Sequence, residues 1–249
     1  MNFTAAQFND SDFRSFRTLM EWERHWIDIG NLLRRERHSD TDVPINTPNQ
    51  TIQNELYALL CFFRQTNASA CTKFRLTPKD TPGCDAIALQ AGKQRLFEVK
   101  TTGPLWPDDD GKLGNYGQIR SELMKSLGTP AAVDFGPSQR IALGKDYADT
   151  SKRMIPKFRL IEAYANGLSE TYRKIRSQYK TRPVHDGEHP ELIVSVWGMT
   201  RFHVSNTEFE QLVKHGDPPH ELFRVIHVVG TENDHYCELL ASQDSYPSP

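Results

Sequence analysis

The chain contains 249 residues, 37% hydrophobic and 25% charged, which is typical of a soluble globular protein with one large or two small domains. Its net charge of −2 excludes an overall basic protein, so any nucleic-acid contact must be local. The four cysteines form no CxxC pair, and neither a signal peptide nor a transmembrane run is visible. We therefore expect a cytoplasmic protein without membrane contact.

The first element in chain order is a helix or helix pair from Ser11 to about Arg37, in which Gly30 is a candidate break. Its apolar residues recur at spacings of three and four and form one stripe. The stripe consists of Phe16, Leu19, Trp22, Trp26, Ile29 and Leu33. Such a stripe must cover either the core or a second subunit, and the core is favoured. We assign residues 1–46 to an N-terminal helical extension.

A second helix is predicted after Thr47, which stands as an N-cap with Pro48 at the first helical position and Gln50 at the capping-box position. Its apolar face consists of Ile52, Leu56, Leu59, Leu60, Phe62 and Phe63. Glu55 lies within that face by its spacing. A buried carboxylate is costly unless it is paired or bound to a metal, so Glu55 either pairs with an arginine or reaches a metal site.

A strand over Lys73 to Leu76 and then a hairpin are predicted next. Over Asp85 to Gln90 the period of two places Asp85, Ile87 and Leu89 on one face of a strand. Gly92 supplies a turn with positive φ, and Arg95 to Thr101 runs back. The period of two places Leu96, Glu98 and Lys100 on one face of the returning strand, with Phe97 and Val99 directed into the core.

This hairpin gathers two carboxylates, Asp85 and Glu98, and the ammonium group of Lys100. Oxygen ligands of this kind suit Mg²⁺ or Mn²⁺. The lysine could then orient or deprotonate an attacking water, or stabilise the charge that develops on a phosphate. An ordinary surface hairpin with an Asp and a Glu/Lys pair is the alternative interpretation.

Asp85 followed by Glu98-Val99-Lys100 resembles the active-site motif of the PD-(D/E)XK nuclease superfamily, although Pro82-Gly83-Cys84-Asp85 departs from a strict Pro-Asp pair. The resemblance implies that Asp85, Glu98 and the Val99 carbonyl hold the metal. It also implies a role at the metal for Glu55 on the preceding helix. Gln118, which opens the helix after the hairpin, resembles a site residue of RecB-like members, but Glu122 replaces the tyrosine usual four positions later.

Residues 139–190 are rich in cations and are assigned to a basic helical insertion, which Pro156 and Gly167 interrupt. The cations proposed to contact nucleic acid are Lys152, Arg153, Lys157, Arg173, Lys174 and Arg176. Tyr172 and Tyr179 belong by spacing to an apolar stripe with Ile161, Ala165, Leu168 and Ile175. The clustered cations with interleaved tyrosines also suit a phosphate backbone and base stacking. A solvated helix face is the alternative.

The last third of the chain is predicted to be α+β. Strands are expected over Leu192–Trp197, Leu222–Val229 and Tyr236–Leu240, and Ser205 with Glu208 forms a capping box for a helix that ends at Gly216. Together with the EVK strand, the segments at Phe202–Glu208 and Leu222–Val225 are similar to the NO VEIN C-terminal domain type. That resemblance implies a PD-(D/E)XK-like core beside helicases or restriction systems.

These features predict an α/β (α+β) fold with a restriction-endonuclease-like mixed central sheet flanked by helices, over residues 47–249. The expected function is Mg²⁺- or Mn²⁺-dependent cleavage of nucleic acid, DNA in preference to RNA, in restriction or phage defence. A helicase or other ATPase of a defence system, or a second copy of the chain, would be the protein partner. The alternative is a non-catalytic nucleic-acid-binding or assembly subunit that retains the fold.

Overall fold

The computed structural model describes residues 10–38, 50–68, 70–78, 81, 84–107, 113–115, 157–197, 204–231 and 235–241. Within these ranges the strands of the main sheet lie in the order β1 (Arg17–Thr18), β2 (Lys73–Leu76), β3 (Ala86–Gln90), β4 (Lys93–Thr102), β7 (Glu191–Val196), β8 (Val225–Gly230) and β9 (Tyr236–Leu240). A separate pair contains β5 (Leu105–Pro107) and β6 (Leu113–Asn115).

The main sheet is mixed. Strands β1 to β4 are antiparallel to their neighbours, β4, β7 and β8 are parallel, and β9 is antiparallel to β8. The tight turn between β3 and β4 contains Ala91 and Gly92, both at positive φ, as predicted for Gly92. The sequence predicted a mixed central sheet in an α+β fold, and the structure confirms both features.

In the described part of the chain four helices flank the sheet: α1 (Leu19–His38), α2 (Gln50–Gln65), α3 (Lys157–Gln178) and α4 (Asn206–His215). Helices α1 and α2 share one apolar core with β2, β3 and β4, to which Trp22, Leu56 and Phe97 contribute. Helices α3 and α4 share a second core with β7, β8 and β9, to which Leu168 and Phe209 contribute. The stripe residues Leu19, Trp22, Trp26 and Ile29 of α1 therefore pack into or against the core, the interpretation that the sequence favoured.

Several element boundaries differ from the prediction. The N-terminal segment begins with a 3-10 helix, Asp10–Arg14, and its β1 strand pairs with β2 before α1 starts at Leu19. Phe16 therefore precedes the helix instead of beginning its stripe. Neither glycine breaks its helix, because α1 continues through Gly30 and α3 through Gly167.

Other local predictions are confirmed. Strands β2 and β9 have the predicted bounds. Ser205 accepts a hydrogen bond from the Glu208 N–H, the Glu208 side chain accepts one from the Ser205 N–H, and Gly216 is the C-cap of α4. No helix in the described ranges is long and apolar enough to cross a lipid bilayer.

The basic segment is part of the packed fold where it is described. Helix α3 lies against the sheet through its tyrosine-containing stripe, and Tyr164 and Tyr172 are buried in the second core. The prediction that Tyr172 stacks on bases is therefore wrong, because its ring has no access to a ligand. The helix also approaches β4 closely: a Cβ added at Gly167 would lie 2.0 Å from the Gly103 carbonyl oxygen.

Candidate active site

The site begins where the β3–β4 hairpin opens. Asp85 directly precedes β3, and its N–H donates a hydrogen bond to the Phe97 carbonyl at 2.8 Å. Ala86 also pairs with Phe97, so two consecutive residues lie against one residue of β4 and the regular pairing ends here. Asp85 and Glu98, the two acids predicted from the sequence, both lie beside the ammonium group of Lys100.

The Asp85 carboxylate is held by the backbone of β4. Its Oδ2 accepts a hydrogen bond from the Val99 N–H at 2.8 Å. The N–H and C=O of one strand residue point to the same edge, so the Val99 carbonyl also faces the Asp85 side of β4. The strand pairing with β3 ends at Ala86, before this position is reached. The carbonyl implicated by the family resemblance thus lies on the same side as the Asp85 carboxylate.

An ammonium group bridges the two acids. Lys100 Nζ donates a hydrogen bond to Glu98 Oε1 and lies 3.5 Å from Asp85 Oδ2. The side chains of Lys100 and Asp85 are each 25% exposed, whereas that of Glu98 is 2% exposed. Solvent therefore reaches the cluster from the Asp85 and Lys100 side, with Glu98 as its buried wall.

Tyr179 also lies at this site, although the sequence analysis assigned it to the basic helical insertion and not to the site. It follows the last residue of α3, and its hydroxyl donates a hydrogen bond to Glu98 Oε1 at 2.6 Å. Its ring packs edge-on against Phe223, with the ring centroids 6.1 Å apart. The sequence analysis did not predict this contact, in which the hydroxyl group of Tyr179 faces the carboxylate.

The pKa values of these groups reflect burial and mutual charge. Burial, and then the charge of Asp85, raise the pKa of Glu98, while Lys100 and Tyr179 oppose the shift. Burial alone would lower the pKa of Lys100, but the charges of Asp85 and Glu98 outweigh it and raise that pKa. Lys100 is therefore a cation and a hydrogen-bond donor at neutral pH.

Glu55 approaches the same charges from α2. It is half-buried, as expected from its place within the apolar face. Burial, and then the charge of Asp85, raise the pKa of Glu55 to about 8, with Glu98 adding to the shift and Lys100 opposing it. Charges shift a pKa in this way when they are close by, so a third carboxyl group borders the Asp85–Glu98 pair.

The donor chemistry fits Mg²⁺ or Mn²⁺, which prefer carboxylate and carbonyl oxygens. The negative charge of Asp85 raises the pKa of both Glu55 and Glu98, and an added cation would relieve that repulsion. Among the described residues, however, no group of three or more His, Cys, Asp or Glu side chains is arranged to hold a metal ion. The described arrangement instead has Lys100 as the counter-charge of the two carboxylates.

Gln118, a candidate site residue, and Lys152 and Arg153, two candidate nucleic-acid contacts, lie outside the described residues. Lys157 is the first residue of α3, and its side chain also lies outside the described part of the chain.

The other cations proposed for nucleic acid are described, and each has an acidic partner. Arg173 donates two hydrogen bonds to Glu170, each of 2.7 Å, and Lys174 Nζ lies 3.7 Å from the same carboxylate. Arg176 donates to Glu221 at 2.6 Å and lies 3.1 Å from Asp217. Part of the positive charge of α3 is thus neutralised within the chain.

A second polar cluster, which the sequence analysis missed, lies on the α2 face of the sheet. Arg95 donates two hydrogen bonds to the Glu191 carboxylate, at 2.9 and 2.6 Å, and His227 Nε2 lies 2.6 Å from the same group. Arg95, His227, Tyr236 and aromatic residues of α2 line a cavity of about 160 Å³. The described hydrogen bonds of Arg95 go to Glu191 and Gln90 within this cluster. We therefore interpret the cluster as a partly buried ion-pair network that stabilises the fold.

No family model, no curated protein and no solved structure matches this chain. Its function must therefore be inferred from the chemistry of the Asp85–Glu98–Lys100 site.

Proposed function

We propose that the protein is a Mg²⁺-dependent nuclease that hydrolyses phosphodiester bonds, with DNA favoured over RNA as substrate. The observation that carries this proposal is that Lys100 of β4 bonds Glu98 and lies 3.5 Å from Asp85, the residue before β3, so that one ammonium group joins two acids. Two acids and one ammonium group on adjacent strands are the set that the PD-(D/E)XK resemblance implies. The order helix α2, strands β2, β3 and β4 also agrees with the order expected from it.

Asp85, Glu98 and the Val99 carbonyl would hold the metal, with Glu55 assisting directly or through water. A bound divalent cation supplies Lewis-acid polarisation of a phosphoryl oxygen and lowers the pKa of a coordinated water. Glu55 must lose its proton to act as a ligand, because its pKa of about 8 leaves it largely protonated at neutral pH.

Lys100 is proposed to orient the attacking water or to stabilise the phosphate. Its raised pKa keeps it protonated, so its part is hydrogen-bond donation instead of proton abstraction. Its present bond to Glu98 means that it must release that carboxylate when a metal is bound there. Gln118 remains a proposed site residue on the basis of the family resemblance.

A non-catalytic nucleic-acid-binding subunit is the alternative function. Its supporting observation is that Lys100 already neutralises the carboxylate pair, while the described residues contain no ready group of three metal-ligating side chains. A role in restriction or phage defence, with a helicase or other ATPase, is proposed from the domain resemblance alone.

The decisive experiment is a cleavage assay on plasmid DNA, single-stranded DNA and RNA, with Mg²⁺ or with a chelator. Wild-type protein should cut at least one substrate only when Mg²⁺ is present. The Lys100→Met variant, of similar length but uncharged, should not cut. Absence of cleavage combined with absence of Mn²⁺ binding would favour the non-catalytic alternative.

A further inference from the structure

A group of exposed and half-buried residues on β2 and its neighbours faces the same side of the sheet as the candidate site. We define the β2 patch as Phe16, Lys73, Arg75 and Leu89. Lys73 is paired with Leu89, so their side chains share a face. The Arg75 guanidinium lies over the Phe16 ring, with its carbon 5.0 Å from the ring centroid. Phe16 and Leu89 keep 37% and 36% of their surface exposed.

The strand register places this patch beside the carboxylates. Arg75 pairs with Ile87, and the Thr77 N–H donates to the Asp85 carbonyl at 2.9 Å. Arg75 is therefore the diagonal neighbour of Asp85, and such neighbours are roughly 7–8 Å apart. Lys73 lies two residues further along the same face, about 7 Å beyond Arg75 at strand spacing. The two cations thus extend in a line from the candidate site.

The charge of the β2 patch is not neutralised in the way that the α3 charge is. Within the described ranges neither Lys73 nor Arg75 has a carboxylate at ion-pair distance, whereas Arg173, Lys174 and Arg176 all do. The charge of Lys73 does contribute to the lowered pKa of the exposed Glu21, after the hydrogen bonds from Thr18.

We propose that the β2 patch binds the phosphate backbone of the nucleic acid next to the bond at the Asp85–Glu98 site. A guanidinium stacked on an aromatic ring is held in place while its edge remains a donor for phosphate oxygens. Exposed Phe16 adds an aromatic surface on which a base can stack. Since consecutive phosphates of one strand rise by about 3.4 Å, the two cations span roughly two nucleotides of rise. This inference rests on the proposed function.

The test compares the double variant Lys73→Gln/Arg75→Gln with the matched control Arg173→Gln/Lys174→Gln, which removes two cations from α3. Binding of a fluorescein-labelled DNA duplex, and of a single-stranded RNA of equal length, is measured by anisotropy in chelator over a range of salt concentrations. The β2 variant should bind duplex DNA more weakly than wild type. The slope of log affinity against log salt concentration should become shallower by about 1.8, because each of the two lost phosphate contacts accounts for about 0.9. The control should keep the wild-type slope.

Cleavage of the same substrates in Mg²⁺ separates the two proposals. The β2 variant should raise KM and leave kcat close to wild type, because its residues hold substrate away from the reacting bond. If wild type binds and cuts while the β2 variant keeps the wild-type slope, the patch is wrong and the nuclease function stands. A shallower salt slope in the α3 control alone would also overturn the proposal that the β2 patch binds the phosphate backbone. If wild type binds neither DNA nor RNA, both proposals fall.

Lys73→Gln alone provides a second variant that does not depend on the Arg75 stack. Lys73 is exposed on β2, so its replacement should leave the melting temperature unchanged. It should lower the duplex salt slope by about 0.9, the amount expected for one phosphate contact. An unchanged slope in this folded variant would remove Lys73 from the proposed surface and overturn the patch as defined.

Discussion

Tyr179 donates a hydrogen bond of 2.6 Å to Oε1 of Glu98, the same oxygen that accepts a bond from Lys100. The tyrosine follows α3, whereas Glu98 lies in the middle of β4. One oxygen of the buried carboxylate is thus fixed by two donors from different elements. The contact joins the position of α3 to the orientation of the acid proposed to bind metal.

Tyr179→Phe should weaken Mn²⁺ binding by about tenfold, because partners that orient a ligand typically affect affinity by 10–100-fold. The phenyl ring can keep its packing against Phe223, so the variant should remain folded. Titration calorimetry with Mn²⁺ and circular dichroism measure the two properties.

Tyr172→Phe is the matched control for this prediction. In the described part of the chain the buried Tyr172 hydroxyl has no hydrogen-bond partner, so its removal should not affect Mn²⁺ binding. Equal losses of affinity in the two variants would contradict a specific positioning role for Tyr179.

Lys100→Ala should abolish cleavage while Mn²⁺ binds as tightly as to wild type or more tightly. The ammonium group bonds Glu98 and lies 3.5 Å from Asp85, so its removal frees carboxylates that a metal would use. Without metal the variant should melt at a lower temperature, because the buried Glu98 loses its counter-charge. Added Mn²⁺ should raise the melting temperature of this variant more than that of wild type, because the metal replaces the missing counter-charge. Near wild-type cleavage by this variant or by Lys100→Met would refute the proposed role of Lys100.

Glu55 should make metal binding depend on pH. Its pKa is raised to about 8 in the folded protein, so a proton competes with the metal below that pH. Mn²⁺ affinity should therefore rise with pH up to about 8 and then level off. In Glu55→Gln the affinity should be lower, and the part of the rise due to Glu55 should be lost. An unchanged affinity and pH profile would show that Glu55 is not at the metal.

The raised pKa of Glu55 also determines how the stability of the metal-free protein changes with pH. The folded pKa of about 8 lies above the ordinary value of 4.5, so the folded state holds this proton more tightly than the unfolded state. Stability from this group is present below the ordinary value and declines as pH rises towards about 8. Glu55→Gln should show a smaller decline over this window in chemical denaturation, although Glu98 contributes a decline of the same sign.

The sequence was sufficient to predict the parts of the site that depend on local pattern. The period of two and the Gly92 turn predict the β3–β4 hairpin, which brings Asp85 and the Glu98–Lys100 segment to the same region. The place of Glu55 within an apolar helix face likewise predicted its half-buried position. These features follow from periods of two and 3.6 residues.

The rest depended on how distant elements pack. Tyr179 belongs to the apolar stripe of α3 by spacing, but its contact with Glu98 arises from the passage of α3 over β4. The Arg95–Glu191–His227 cluster joins three strands through the parallel register of β4, β7 and β8. No local pattern marks such pairings, so these residues could not be grouped from the sequence.

Glu191→Gln should destabilise the protein by about 3–5 kcal/mol, the usual cost of removing one partner from a buried ion pair. Burial would raise the Glu191 pKa, but hydrogen bonds from His227 and Arg95 outweigh it and lower the pKa to about 2. Its stabilisation is therefore present above pH 4.5 and is lost as pH falls towards about 2. Urea denaturation at several pH values should show a flatter acid limb for the variant.

Glu238→Gln is the control for Glu191, since Glu238 lies at the rim of the same cluster with a side chain 45% exposed. Its replacement should cost less than about 1 kcal/mol, as for exposed ion pairs. Equal destabilisation by both substitutions would contradict the assignment of Glu191 as the central acid of the network.

Gly167→Ala should destabilise the fold and weaken the site together. An added Cβ would lie 2.0 Å from the Gly103 carbonyl oxygen and 3.1 Å from Thr102 Oγ1, so α3 must move away from β4. Overpacking of this kind typically costs about 1–3 kcal/mol, and the displacement of α3 should lengthen the Tyr179–Glu98 bond and reduce Mn²⁺ affinity.

Gly30→Ala is the matched control, because Gly30 is also helical and its Cβ would meet nothing within 4 Å. That substitution should stabilise the protein by about 0.5–1 kcal/mol through the better helix propensity of alanine. Thermal melts and Mn²⁺ titrations of both variants check the difference, and a Gly167→Ala protein with wild-type stability would contradict the close approach of α3 to β4.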